Sequence, residues 1–367
     1  MGLGNIYIRQ ALDNDENELI QLYNRNFKPV RTVSQWRWEF RETPAGETIH
    51  FVICDKEKII GQMILIPIYI KYENRKLLSG RAQALVVEKS YRFLVAKKDL
   101  VNQLIKAVIK EAKFRNIAII WGFPLKLAIK TFEQNGFVTD EVKAFRCNLT
   151  IKTFLTRVEA KLLSFKYLKC VKGLSLWAKL PTVKGIKSSM SRYWLRSYSL
   201  YQTKDAEHIE KVWRLVERND ELTLDRSSKF IHWRYLANPF FKNEIYIIKE
   251  GSKDCGFVIL GYRTDSHVKK GFIVDFCMDL PKGKLVDRVF DLVLHHFFKN
   301  GVDQVVIWNK RHDDRYFKNL LIRNGFREGG TAANFNFFAT GHGPITQTLI
   351  QNNIWALSMA YMEGTSF

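Results

Sequence analysis

An apolar run at residues 82–87 empties into a short polar stretch that carries Arg92, Lys97 and Lys98. A segment rich in Lys, Leu, Val and Ile follows over residues 98–113. The run reads as a strand and the later segment as a helix. A strand that ends at a helix N-terminus gathers several unpaired backbone N–H groups. With the positive end of the helix dipole they make a site for an anion, and Arg92 in the turn adds a full charge. Taken alone, the stretch fits an ordinary surface connection with a solvated arginine better, because such turns are common.

No other stretch offers a ready-made catalytic pattern. His295 and His296 are adjacent and so point to different sides of a helix. His312, Asp313 and Asp314 have no second histidine at ligand spacing, and no metal site is expected. There is no nucleophile elbow and no P-loop. Cys54, Cys147, Cys170, Cys255 and Cys277 are scattered without a CxxC pair, the pattern of reduced thiols in a cytoplasmic protein. Neither a signal peptide nor a bilayer-spanning run is expected. The net charge of +21 and a pI near 9.7 favour anionic partners such as nucleic acid, phosphorylated ligands or an anionic membrane surface.

The 367 residues, 46% of them hydrophobic, suffice for two domains. Over residues 5–150 the periodicity predicts a short strand, helices at 13–25 and 32–41, a three-strand meander ending near 88, the helix from 98, a strand at 117–121, a helix at 126–135 and a last strand near 142–150. Residues 151–200 differ in kind, with eleven Lys or Arg against the single acid Glu159, interleaved with apolar and aromatic positions. That pattern suits an interfacial amphipathic helix and equally a linker helix packed on a domain.

From Trp194 the first pattern recurs, with a strand at 194–201 and helices at 206–218 and 226–237. Trp38 to Pro44 and Trp233 to Pro239 are both six residues, and Pro44 to Gly61 and Pro239 to Gly256 are both seventeen. FEQNGF at 132–137 and LIRNGF at 321–326 fall at the same place in each half. The expected organisation is therefore an N-terminal domain at 1–150, a basic linker at 151–193 and a second domain with a C-terminal extension at 194–367.

The order βααβββαβαβ, closed by Gly-Phe after the last helix, resembles the GNAT acyltransferase superfamily over residues 1–150 and about 194–342. The Trp-x-Trp at 36–38, WGFP at 121–124, WRYxxNP at 233–239 and IWALSM at 354–359 are similar to phrases of the tandem GNAT-like proteins found with bacterial surface-polysaccharide genes. The resemblance implies an α/β (α+β) fold of two tandem domains, each a mixed, mostly antiparallel sheet flanked by helices. It implies acetyl-CoA or another acyl-CoA bound between splayed strands four and five, with direct acyl transfer to an amine. Leu85, Val86 and Val87 would pair with the pantetheine arm, and Arg92, Phe93, Leu94, Val95, Ala96, Lys97 and Lys98 would hold the pyrophosphate.

Two departures from the family pattern are visible. Its turn usually carries glycines where this chain has Val95 and Lys97, leaving Lys97 and Lys98 to contribute charge. Its leaving-group tyrosine is matched by Phe132, and by Leu321 in the second half. A general base is still required. Glu88, at the end of the cofactor strand, is the first candidate and His50 the second. Trp36 and Trp38 are candidates for an acceptor groove that stacks on a sugar ring. As bare residues, Glu88 suits a strand-end surface carboxylate and the tryptophans suit core packing.

Three readings stay open. One is an N-acyltransferase acting on an amino sugar or lipid-linked sugar at an anionic membrane surface. Another is a Fem-type transferase that takes aminoacyl-tRNA, which the duplication and the charge allow. The third is a non-catalytic GNAT-like binding protein.

Overall fold

A computed structural model describes residues 6–97, 99–150, 198–218, 220–265, 267–278, 283–309, 314–341 and 355–361. The basic linker expected at 151–193 lies outside the described residues.

Thirteen strands form one mixed sheet. The first half supplies β1 (Ile6–Gln10), β2 (Ile49–Asp55), β3 (Lys58–Tyr72), β4 (Arg75–Val87), β5 (Ile119–Gly122) and β6 (Val138–Asn148). The second supplies β7 (Tyr198–Gln202), β8 (Thr223–Leu224), β9 (Glu244–Glu250), β10 (Lys253–Asp265), β11 (Val268–Met278), β12 (Gln304–Asn309) and β13 (Arg327–Ala339). The spatial order is β1-β2-β3-β4-β5-β13-β6-β12-β11-β10-β9-β7, with β8 paired to β3 off that path. The last strand of each half therefore stands in the other half's ladder. β13 pairs with β5, β6 pairs with β12, and β6 and β13 pair with each other. Only β4–β5 and β11–β12 run parallel among these pairs, each joined by a helical crossover.

The α-helices among the described residues are α1 (Glu16–Asn26), α2 (Val33–Phe40), α3 (Arg92–Lys97), α4 (Leu100–Phe114), α5 (Lys126–Gln134), α6 (Ala206–Val216), α7 (Ser228–Ile231), α8 (Gly283–Lys299) and α9 (Asp314–Arg323). α4 presents Leu100, Leu104, Ile105, Val108 and Ala112 as one buried stripe at three-and-four spacing. With Phe132 of α5 these side chains cover one face of the first half. Val289, Phe290 and Val293 of α8 and Phe317 and Leu320 of α9 cover the same face of the second. On the opposite face a single apolar cluster spans both halves beneath α1, α2, α6, α7 and the segment 355–361. β3 is thus buried on both faces, which is why it reads as an almost unbroken apolar run.

The helix expected at 226–237 is instead the short α7 followed by a wider π-helical turn, His232–Leu236. β8 was not anticipated. Both halves share two irregularities of the ladder. One lies beside Gly61 and Gly256, and the other is in β4 and β11 opposite β3 and β10.

Candidate functional site

β4 and β5 run in parallel register from Ser79 opposite Ile119 to Ala82 opposite Gly122, where β5 ends. β4 continues to Val87, still paired with β3 on its other side. The two strands part at this point. Just beyond it β4 bulges: Gln62 pairs with Val86 and Ile64 with Gln83, so Met63 faces both Ala84 and Leu85. Ala84 takes φ +54, a left-handed conformation that costs a non-glycine residue about 1 kcal/mol. The bulge turns Ala84 and Val86 toward α1 and α2, and Leu85 and Val87 toward α4. At Gly122 a Cβ would stand 2.9 Å from Ala82 O and 3.4 Å from Asn336 Oδ1, so only glycine fits.

The anion turn expected after β4 is not formed as a turn. Residues Lys89–Tyr91 wind as a 3-10 helix that runs directly into α3, and Asp99 with φ +55 separates α3 from α4. The N–H groups of Tyr91 and Arg92 bond to Glu88 O and Lys89 O, and so are spent within the helical winding. Arg92 Nε donates back to Val87 O at 3.3 Å. Phe93 is 83% exposed, while Val95 is buried against the α4 cluster. Leu94 is half-buried, Ala96 and Lys97 face solvent, and Lys98 lies outside the described residues. The physical reason lies in the sequence: 89–97 contains no glycine, and Val95 finds an apolar niche that a helical turn reaches. The glycine-type cradle implied by the resemblance is therefore absent from the described residues of this stretch, whereas the parting strands are present.

Glu88 closes β4, with its N–H on Ile60 O at 2.8 Å. Its Oε2 lies 3.3 Å from Lys58 Nζ and 3.5 Å from Arg25 Nη2. His50 Nε2 pairs with Gln62 Oε1 at 3.1 Å. Burial drives the pKa of His50 down to about 4; the Gln62 bond opposes this and the charge of Arg41 adds to it. The ring is therefore neutral near pH 7. Trp36, Trp38, Trp233 and Tyr235 are all buried. Trp36 and Trp38 are packed inside the core and are not exposed to stack on a sugar ring, which corrects that expectation. Phe132 packs its ring on Phe137 at 4.9 Å, inside the α4 cluster.

A buried polar network escaped the sequence reading. Gln83, one residue before the bulge, donates to Glu39 Oε1 at 2.7 Å and accepts from Arg81 Nη2 at 2.7 Å. Arg31 Nε holds Glu39 Oε2 at 3.0 Å. Arg81 and Arg234 bind the carbonyls of Tyr361 and Ala360, fastening the C-terminal segment over the sheet. In the second half, Arg226 clasps Asp275 of β11 with two bonds of 2.7 and 3.0 Å, and Tyr235 and Ser358 also donate to that carboxylate. Burial pushes the Asp275 carboxyl up, but Arg226 outweighs it and the net shift is downward. Ser79, Arg81 and Gln83 alternate along an otherwise apolar strand, and this period-two polar pattern was the signal available.

Among the described residues no group of three His, Cys, Asp or Glu side chains could hold a metal ion, and no helix is long and apolar enough to cross a membrane.

An acetyltransferase (GNAT) domain model matches residues 7–138. No curated protein matches the chain. Among solved structures, a conserved protein of unknown function from Enterococcus faecalis, described as a probable N-acyltransferase, superposes with TM-score 0.60 at 10% identity. That match covers 92% of this chain and 73% of the other. A GCN5-related N-acetyltransferase from Anabaena variabilis gives 0.59 at 13% identity over the same shares, 92% and 73%. Saccharomyces cerevisiae N-myristoyltransferase with bound myristoyl-CoA gives 0.55 at 14% identity, covering 97% of this chain and 90% of that one. The first half thus carries a GNAT acetyltransferase-domain match, and nearly the whole chain has a GNAT-like fold.

Proposed function

We propose that this protein is an N-acyltransferase that moves an acyl group from acyl-CoA to an amine. The parting of β4 from β5 after Ala82 and Gly122, with the bulge at Ala84 beside it, carries the reading. Beyond that point β4 has no strand partner on the β5 side among the described residues, so the main chain of Leu85–Val87 can pair there with an extended arm. Acyl-CoA supplies the acyl group already activated as a thioester. A backbone N–H beyond the bulge would stabilise charge growing on the acyl oxygen. Glu88 stands within ion-pair distance of two cations, Lys58 and Arg25. It is the carboxylate assigned to accept the ammonium proton through water. Arg92 and Lys97 are assigned to the phosphates, by charge rather than by a backbone cradle.

Acetyl as the acyl group and an amino sugar or lipid-linked sugar as acceptor come from the sequence resemblance, and contact of the basic 151–200 segment with an anionic membrane from its charge pattern. The limits 1–150 and 194–367 are proposed as duplicated units that exchange their last strands. A non-catalytic binding role is the second reading, and the glycine-free helix Arg92–Lys97 favours it.

Calorimetric titration with acetyl-CoA, followed by assay of free thiol with a panel of amino sugars, separates these readings. Binding with acceptor-dependent thiol release supports the transferase. Binding with no release from any amine supports the second reading. Absence of binding at millimolar acetyl-CoA removes the transferase and leaves the second reading.

A further inference from the structure

Asn336 stands on β13, the strand lent by the second half, directly opposite Gly122 in the ladder. Phe335 and Phe337 on either side of it enter the cluster beneath α1 and α2. Strand alternation therefore directs Asn336 to the other face, the side of α4 and α5, as it does Phe338. Asn336 is fully buried, and neither Oδ1 nor Nδ2 has a hydrogen-bond partner among the described residues. On its other flank Thr139 of β6 is its register partner, and the buried Oγ1 of Thr139 is likewise unpartnered there. Ala82, Gly122, Asn336 and Thr139 thus make one row across β4, β5, β13 and β6, at the level where β4 and β5 part.

A buried carboxamide open at both ends carries a desolvation cost that a leucine of similar size would not. It suits a partner that both donates and accepts. Gly122 lets β4, β5 and β13 close up at this row, since a Cβ there would stand 2.9 Å from Ala82 O and 3.4 Å from Asn336 Oδ1. Phosphate and thioester oxygens only accept. The pantetheine arm carries two secondary amides, so N–H donors and C=O acceptors alternate along it, and one carboxamide can engage one of each.

We infer that Asn336 holds the amides of the pantetheine arm, so that the second half completes the acyl-CoA site of the first. The inference rests on the acyl-CoA reading above. It assigns the exchange of β13 a role in binding: the arm lies along a strand of one half and is fixed by a side chain of the other.

The test titrates CoA and adenosine 3′,5′-bisphosphate, which lacks the arm, into the full chain and into Asn336→Leu. Thermal melting of each free protein is recorded alongside. The expected result is a dissociation constant for CoA raised about tenfold or more, as loss of one or two neutral hydrogen bonds gives. Bisphosphate affinity stays unchanged, and the melting temperature of the free variant is unchanged or higher. Should Asn336→Leu fail to fold, Asn336→Ser, which is too short to reach, shows the same selective loss. CoA affinity within twofold of wild type overturns the inference and leaves the acyl-CoA reading intact. That is the result expected if the carboxamide only binds a water with Thr139. Equal loss for CoA and bisphosphate overturns it as well, because the effect is then structural. Failure of wild type to bind CoA overturns the reading on which it stands.

Discussion

Trp38 and Trp233 donate their indole N–H groups to each other's main-chain carbonyl, at 3.1 and 2.9 Å, with their rings stacked 5.2 Å apart. They lie 195 residues apart and occupy matching places six residues before Pro44 and Pro239. The contact clamps α2 to the π-helical turn after α7, over the sheet that both halves share. Replacing either tryptophan by phenylalanine leaves a buried carbonyl without its donor, and should destabilise the fold by about 1–3 kcal/mol. The reciprocal geometry predicts a coupling of about 0.5–3 kcal/mol in a double-mutant cycle read by urea denaturation. Strict additivity would show that the two halves of the contact act separately.

Arg226 and Asp275 form a second test of the shared core. Both side chains are sealed, so truncating one strands the charge of the other. Asp275→Asn or Arg226→Met should each cost about 3–5 kcal/mol, while the paired change Arg226→Met with Asp275→Leu should recover much of that loss. Single variants that unfold at the same denaturant concentration as wild type would contradict the account.

His50 gives a pH dependence. The folded ring stays neutral down to pH about 4, whereas the unfolded chain takes up the proton at the ordinary value of 6.5. The unfolded state therefore binds more protons across that interval. The contribution of His50 is complete above pH 6.5, is lost as pH falls to 4 and is flat below, amounting to at most about 3 kcal/mol. Stability of wild type relative to His50→Gln, followed by denaturation from pH 7 to 4, should show this slope. A difference independent of pH would rule it out.

Ala84 holds the bulge of β4 at φ +54. Ala84→Gly should change stability by less than about 1 kcal/mol, since relief of the left-handed strain offsets the loss of a buried methyl. Ala84→Val, β-branched at that φ, should cost about 2 kcal/mol or more and flatten the bulge. Equal stability of the two variants, by thermal unfolding, would mean that the bulge is not enforced.

Much of this arrangement was legible in the residues. The apolar stripe of α4, the Thr32–Gln35 capping box of α2 and the long apolar β3 all follow from local pattern. The matched spacings around Trp38 and Trp233 are the sign of duplication that the residues carry. What local pattern could not convey was pairing across the chain. Nothing in Val138–Asn148 or Arg327–Ala339 says that each will enter the other half's ladder, because register depends on partners distant in sequence. Asn336 was invisible for the same reason. The turn at 89–97 is suggested by the strand-to-helix pattern and by the family resemblance, but its glycine-free residues wind as a helix. Trp36 and Trp38 suit stacking groups by type, but Trp36 is buried against Tyr23, Phe40 and His50 of its own half, and Trp38 against Trp233 of the other.

The central claim is that an acyl-CoA arm pairs with the main chain of β4 beyond its bulge. Amide hydrogen exchange of the full chain, with and without millimolar CoA, tests it most directly. The account predicts added protection within Leu85–Val87, with no comparable change in the matching part of β11. Protection confined to other segments, or none at saturating CoA, would contradict it.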